Sequence, residues 1–176
     1  DGQTEDGEDG YDTVEWAARL PGSDGRVGTW GFSYPSWCIW RMAGTAPPSL
    51  AAIYSGGMAM SPTDMNFGVF ETARRLQWTY GMAVDARRRI GDPSEPSTRA
   101  EADRLWHEFE RGKWIWYLPL GEIPDEVFSM LAVPLKRFMT EQNVDTWRFD
   151  KVHPKVTVPT CNLTGWFDRL VGAVDH

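Results

Sequence analysis

The sequence predicts an α/β fold, a mostly parallel sheet interrupted by a helical insertion, on three observations. Three short runs, 27–30, 50–54 and 156–163, are rich in β-branched, aromatic and small apolar residues and lack strong polar alternation, which is the pattern of strands buried on both faces of a parallel sheet. A helical pattern precedes the first run, and another separates it from the second. Between the second and third runs lies a long stretch with apolar residues at three-to-four spacing, rich in Trp, Met and Arg. The 176 residues fall within the range of one ordinary domain, yet three strands make a small sheet. The expected organisation is a partial core over 1–56, a helical insertion over 57–150, and the last core strand within 151–176.

Taken in order, residues 9–20 read as a helix, and Val27, Thr29 and Trp30 favour an extended strand. A second helix carries Trp37, Ile39, Trp40 and Met42 and should end near Gly44, before Pro47 and Pro48. Leu50 to Tyr54 forms the second strand. In the insertion, Pro62, Thr63 and Asp64 can open a helix whose stripe is Phe67, Phe70, Ala73, Leu76, Gln77 and Tyr80. Residues 91–97 are a loop by their Gly, Pro, Asp and Ser content. Thr98 and Glu101 have the spacing of a capping box, opening a helix with Ala102, Leu105, Trp106 and Phe109 inward. A last helical segment holds Val127, Met130, Leu131, Leu135, Phe138 and Met139, with Pro134 bending or breaking it.

Chemistry enters at the first strand's end. Gly31 permits a tight turn from strand to helix, so the hydroxyl of Ser33 would project from the end of the sheet, as in a nucleophile elbow. By itself this string fits a surface turn equally well, and Pro35 stands where the strict G-x-S-x-G pattern has glycine. The third strand runs into Thr164, Gly165, Trp166, Phe167 and Asp168, leaving a carboxylate beyond its C-terminal end. Serine followed by acid is the chain order of the α/β-hydrolase triad, in which histidine comes last.

The segments Glu8 to Trp16, Ser23 to Gly28, the elbow with Tyr34, and Gly165 to Asp168 together resemble the CocE/NonD hydrolases. That family includes bacterial cocaine esterase, glutaryl-cephalosporin acylases and the catalytic domain of X-prolyl dipeptidyl peptidases. The resemblance is strongest at the two ends of the chain, and Ser36 occupies the last glycine of the family's G-x-S-Y-x-G pattern. It implies a partial α/β-hydrolase core with a helical cap that shapes an acyl pocket, and further core segments outside this sequence. It also implies that Ser33 is the nucleophile, that Asp168 orients a histidine, and that the backbone N–H of Tyr34 forms half of an oxyanion hole. The family's second donor, a tyrosine hydroxyl from an early strand, has no match here. The implied substrate is a small-molecule acyl ester or amide, with an X-Pro peptide or a catalytically incomplete chain as alternatives.

A general base is needed to activate Ser33, and the histidines are His107, His153 and His176. His107 reads as a partly exposed helix residue, His153 lies in a polar connector, and His176 follows Asp168 too closely. None is assigned as the base. Trp78, Tyr80, Trp106, Trp114, Trp116, Tyr117 and Trp147 are expected mostly to pack helices together, with a few facing the serine.

With 25 acidic against 18 basic residues and a net charge of −7, nucleic acid is not an expected partner, and Arg87, Arg88 and Arg89 read as a solvated helix end. No apolar stretch approaches the ~20 residues of a membrane span, so no membrane partner is expected. No cofactor or metal-ligand spacing is visible. Cys38 and Cys161 read as buried free thiols, Asn162 to Thr164 as a sequon without meaning inside a strand, and a homo-oligomer remains open.

Overall fold

Acidic residues stabilise the positive end of a helix, and Asp6, Glu8 and Asp9 occupy the first turn of α1 (Asp6–Ala18). The helix therefore starts a turn earlier than position 9. It stops short of position 20 because the residue before Pro21 is disfavoured in helical geometry. The computed structural model describes residues 5–58, 71–93, 95–140 and 149–168. They fall into two compact units, Asp1–Val69 with Asn143–His176, and Phe70–Gln142.

The first unit is α/β. Strand β1 (Val27–Phe32) leads directly into α2 (Tyr34–Ala43), which ends at Gly44 and is followed by β2 (Leu50–Gly56) and, much later in the chain, β3 (Thr160–Leu163). All pairing is parallel, in the order β1-β2-β3. The strand ends are level, since Phe32 pairs with Gly56 and Gly56 with Leu163. The third strand is shorter than the expected 156–163. Pro159 has no N–H to give a ladder, and only its carbonyl joins the sheet, accepting from Ile53 N–H at 3.0 Å.

Both early helices pack on one face of this sheet, where Val14, Ile39, Met42, Ala43, Leu50 and Ile53 form a buried cluster. Gly10 lets α1 cross α2 closely, because a Cβ there would stand 2.6 Å from the Cβ of Met42. Glu15 ties α1 to the start of β2 by accepting from Ser49 N–H at 2.9 Å and from its hydroxyl at 3.1 Å. On the opposite face, Trp30, Phe32, Tyr54 and Leu163 are exposed. The expected burial of strands on both faces is thus not found among the described residues, since α1 and α2 cover one face only. Cys161 shares this open side and is exposed, and Cys38 on α2 is half-buried, so neither is the buried thiol expected.

The second unit is helical. Its core is Leu76, Trp106, Ile123, Phe128, Ala132 and Leu135, contributed by α3 (Thr72–Arg89), a π-helical turn (Trp106–Glu110), α6 (Asp125–Phe128) and α7 (Ala132–Thr140), with the loop residue Ile123. Phe67 and Phe70 of the expected stripe lie outside the described residues. The buried face of α3 instead runs through Leu76, Thr79, Ala83 and Val84, with Ala73 exposed. Helix α4 (Arg99–Leu105) is capped by Thr98, whose hydroxyl accepts from Glu101 N–H at 3.2 Å, while the Glu101 carboxylate reaches back to Ser97 N–H at 3.1 Å. Trp106 is buried as expected but Phe109 is exposed, because the wider π turn carries it past the buried face. Short α5 (Arg111–Trp114) follows. Pro134 falls in the first turn of α7, where its missing N–H breaks no helical hydrogen bond, so it opens a helix rather than bending one.

Tyr80, Trp106, Trp114 and Tyr117 pack in this core, whereas Trp78 and Trp116 are exposed; Trp147 lies outside the described residues. Among the described residues no helix is long and apolar enough to cross a membrane. Thr98→Ala removes the side-chain acceptor at the start of α4 and should lower the stability of the second unit by about 1 kcal/mol, read from the urea midpoint.

Candidate active site

A residue with a Cβ resists a positive φ, and Ser33 has φ 63° and ψ −126°. Such a conformation costs on the order of 1–3 kcal/mol and persists only where the surroundings enforce it. Here they do. Its N–H donates to Gly56 C=O at the end of β2 (2.9 Å), and its C=O accepts the N–H of Trp37 (3.1 Å), so the strained residue is held by the sheet on one side and by α2 on the other. Gly31 gives the space: a Cβ there would lie 2.8 Å from the Pro35 carbonyl carbon and 2.9 Å from Ser36 N. Pro35 is tolerated in the first turn of α2, where no intrahelical acceptor awaits its N–H.

Serine at a helix N-cap usually spends its hydroxyl on a nearby N–H. Ser33 does not; it makes no side-chain cap and is exposed. The amide of Tyr34, first in α2, lies among the N–H groups that lack intrahelical acceptors and carry the positive end of the helix dipole. The tyrosine side chain is fixed separately. Its ring stacks on Trp37 at 5.4 Å and 12°, and its hydroxyl donates to Asp6 on α1 at 2.8 Å. Burial, and then the hydrogen bond to Asp6, push the Tyr34 phenol well above the ordinary tyrosine range. Burial likewise pushes the Cys38 thiol up, with the Asp6 charge adding to it, so this cysteine stays protonated and unreactive at neutral pH.

Asp168 is half-buried at the end of the turn that leaves β3, its N–H donating to Gly165 C=O at 2.9 Å. Strands β1 and β3 flank β2, so their tips stand about 10 Å apart, twice the spacing of neighbouring strands. Ser33 and the turn bearing Asp168 thus leave the same, carboxyl edge of one sheet. Of the described histidines, neither His107 nor His153 is placed at that edge. His153 packs edge-on against Trp40 at 5.3 Å, about two turns along α2 from the elbow, or roughly 10 Å by helical rise. His107 is exposed on the second unit beside Gln77, 3.3 Å away, and His176 lies outside the described residues.

Comparison with known proteins gives the family. The family described as X-Pro dipeptidyl-peptidase (S15 family) matches residues 1–174. The chain belongs to the S15 family. It is a family of serine hydrolases, and the resemblance drawn from the elbow and the acid strand is borne out over nearly the whole sequence. No curated protein matches the chain.

The turn at Ser33 also involves residues that the sequence did not single out: Gly56, whose carbonyl holds Ser33; Asp6, which holds Tyr34; and Ser55, which meets α2 from below. Only Ser36, standing in a glycine's place, carried a signal, and Ser55 is its partner.

Gly31→Ala should destabilise the first unit by about 1–3 kcal/mol, because both clashing atoms are backbone and cannot rotate away; denaturant unfolding checks this. A pH prediction follows from Tyr34. Its pKa is raised on folding, so its contribution is complete below the unfolded value of about 10 and is lost as pH rises through the folded one. In a spectrophotometric titration of the folded protein, Tyr34→Phe should remove the last tyrosinate absorbance to appear.

Proposed function

We propose that this S15 chain cleaves ester or amide acyl bonds through an acyl-enzyme, acting as an acyl esterase or acylase. The observation that carries the reading is the backbone of Ser33, strained and enforced from two sides, with a hydroxyl that caps no helix. Strain of this kind is retained where a side chain must be aimed. In the proposed reaction the Ser33 oxygen attacks the acyl carbonyl carbon as an imidazole takes the hydroxyl proton. The carbonyl oxygen becomes an oxyanion facing the Tyr34 amide; one such donor is worth about 3 kcal/mol of barrier. Collapse breaks the bond to the alcohol or amine, which leaves with the proton from the imidazolium. Water, deprotonated by the same imidazole, then releases the acid from Ser33.

Asp168 holds the imidazole in the correct tautomer. The gap of about 10 Å between the β1 and β3 tips accommodates one ring with a hydrogen bond on each side. His153 is packed against Trp40, and neither it nor His107 is assigned as the base.

The peptidase alternative takes its support from the family's description. It needs carboxylates to capture a substrate amino group, and the sequence offers Glu71, Asp85 and Glu108. Asp85 already pairs with Arg88 (2.5 Å) and Arg89 (2.7 Å), and Glu108 with Arg104 (2.5 Å). These exposed pairs are individually weak, but an incoming amine would have to displace a guanidinium at each.

A fluorophosphonate probe should label the natural protein at Ser33, and Ser33→Ala should abolish both labelling and hydrolysis of short nitrophenyl acyl esters. Asp168→Asn should lower kcat by roughly 10³–10⁴-fold with the fold intact. A folded sample with an inert serine overturns the reading in favour of a catalytically incomplete chain. Turnover of X-Pro anilides without ester turnover turns it to the peptidase.

A further inference from the structure

Two polar side chains beneath the elbow are fully buried yet take no part in the proposed reaction: Ser36 on α2, 0% exposed, and Ser55 on β2, 1% exposed. Their hydroxyls are hydrogen-bonded to each other. Trp40, one turn further along α2, donates from Nε1 to the Ser55 oxygen at 2.8 Å. The three groups form one buried polar network joining the elbow helix to the middle strand.

Its location is informative. Ser55 lies opposite Gly31 of β1 and Asn162 of β3, in the last row but one of the sheet. The bare Cα of Gly31 lets α2 descend until Ser36 meets Ser55. The next residue along β2 is Gly56, whose carbonyl receives the Ser33 N–H at 2.9 Å. One strand position therefore grips α2 with its side chain while its neighbour grips the strained serine.

Two alanines would occupy this space without burying hydroxyls, whose transfer from water is unfavourable unless each is hydrogen-bonded. Apolar contact, however, is non-directional, and a helix resting on alanines can slide or turn by tenths of an ångström. Hydrogen bonds that join Ser36 and Trp40 to a single oxygen fix both the height and the rotation of α2. The direction of the Tyr34 amide follows from that rotation.

We propose that Ser55 is a positioning residue for the elbow, acting through Ser36 and Trp40 to hold α2, and with it the Tyr34 amide, in register with Ser33. The proposal rests on the hydrolase reading above. It assigns a role to the serine that stands in place of the family's elbow glycine, since Ser36 supplies the contact that glycine could not make.

The test uses the natural protein, with reactive sites counted by fluorophosphonate titration so that kcat is expressed per competent Ser33. Ser55→Ala should lower kcat for a nitrophenyl acyl ester at least fivefold while KM stays within twofold, because the amide acts on the oxyanion rather than on bound ester. The double variant Ser36→Ala with Ser55→Ala removes the Ser36 hydroxyl as well, so that only the Trp40 bond to Ser55 is still lost; its melting temperature should recover part of the way to the natural value while kcat stays at least fivefold low. That separation is one a purely structural role does not produce. A smaller loss of kcat in the double variant, whether or not its melting temperature recovers, overturns the proposal. Should Ser55→Ala fail to fold, the double variant decides alone. If the unmutated protein does not react with the probe, the hydrolase reading has failed and the positioning role falls with it, a result seen before any variant is compared.

Discussion

Everything at the carboxyl edge of the sheet depends on keeping one serine in a backbone conformation that it would not adopt alone. The strain is on the order of 1–3 kcal/mol, and a single hydrogen bond contributes about 1 kcal/mol net. One contact would leave position 33 poised between conformations. The fold supplies several: Gly56 C=O to the Ser33 N–H, Ser33 C=O to the Trp37 N–H, and the first turn of α2 seated over Gly31. Behind α2 stands α1, which crosses closely at Gly10 and Met42 and holds the Tyr34 hydroxyl with Asp6. Sheet, helix and second helix thus determine a torsion together.

The same logic separates the polar contacts of the first unit from those of the second. Ser36, Ser55 and Trp40 sit in the core, where an unmade hydrogen bond costs about 1–3 kcal/mol, so their geometry is enforced. In the second unit Asp85, Arg88 and Arg89 pair near the end of α3 in water, where solvent screens each pair, as expected of a solvated helix end. Arg87 departs from that pattern, turning inward to Glu95 with both side chains largely covered. Precision is invested beneath the serine. The outer face of α3 is held loosely by comparison.

How much of this was legible follows from the range of the interactions. The elbow is local chemistry, with glycine, serine and proline within five positions, and it could be read directly, as could the capping pair Thr98 and Glu101 and the end of α2 at Gly44. The position of Asp168 beyond the last strand was legible because a strand and a glycine turn precede it. Ser55 was not, because in sequence it is one small residue in an apolar run, and its meaning depends on a parallel register that sets it opposite Gly31. Phe109 was misread because helical periodicity assumes α geometry and the chain takes a π turn. The exposure of Cys161 depends on which neighbours a strand has, and strand composition does not report that.

Connectivity explains how the serine and the acid can belong to one sheet while most of the helical residues lie between them in the chain. Strands β1 and β2 are joined by α2 alone, but β2 and β3 are separated by the whole second unit and are still hydrogen-bonded neighbours. Closing a long connection is inexpensive, with each doubling of length adding only about 0.6 kcal/mol. An insertion that carries its own core, here around Leu76, Trp106 and Phe128, offsets the ordering of its residues itself. The pairing of Ile53 to Gly56 with Thr160 to Leu163 therefore does not depend on the content of the insertion. The level ends of β1, β2 and β3 set where Ser33 and the Asp168 turn emerge.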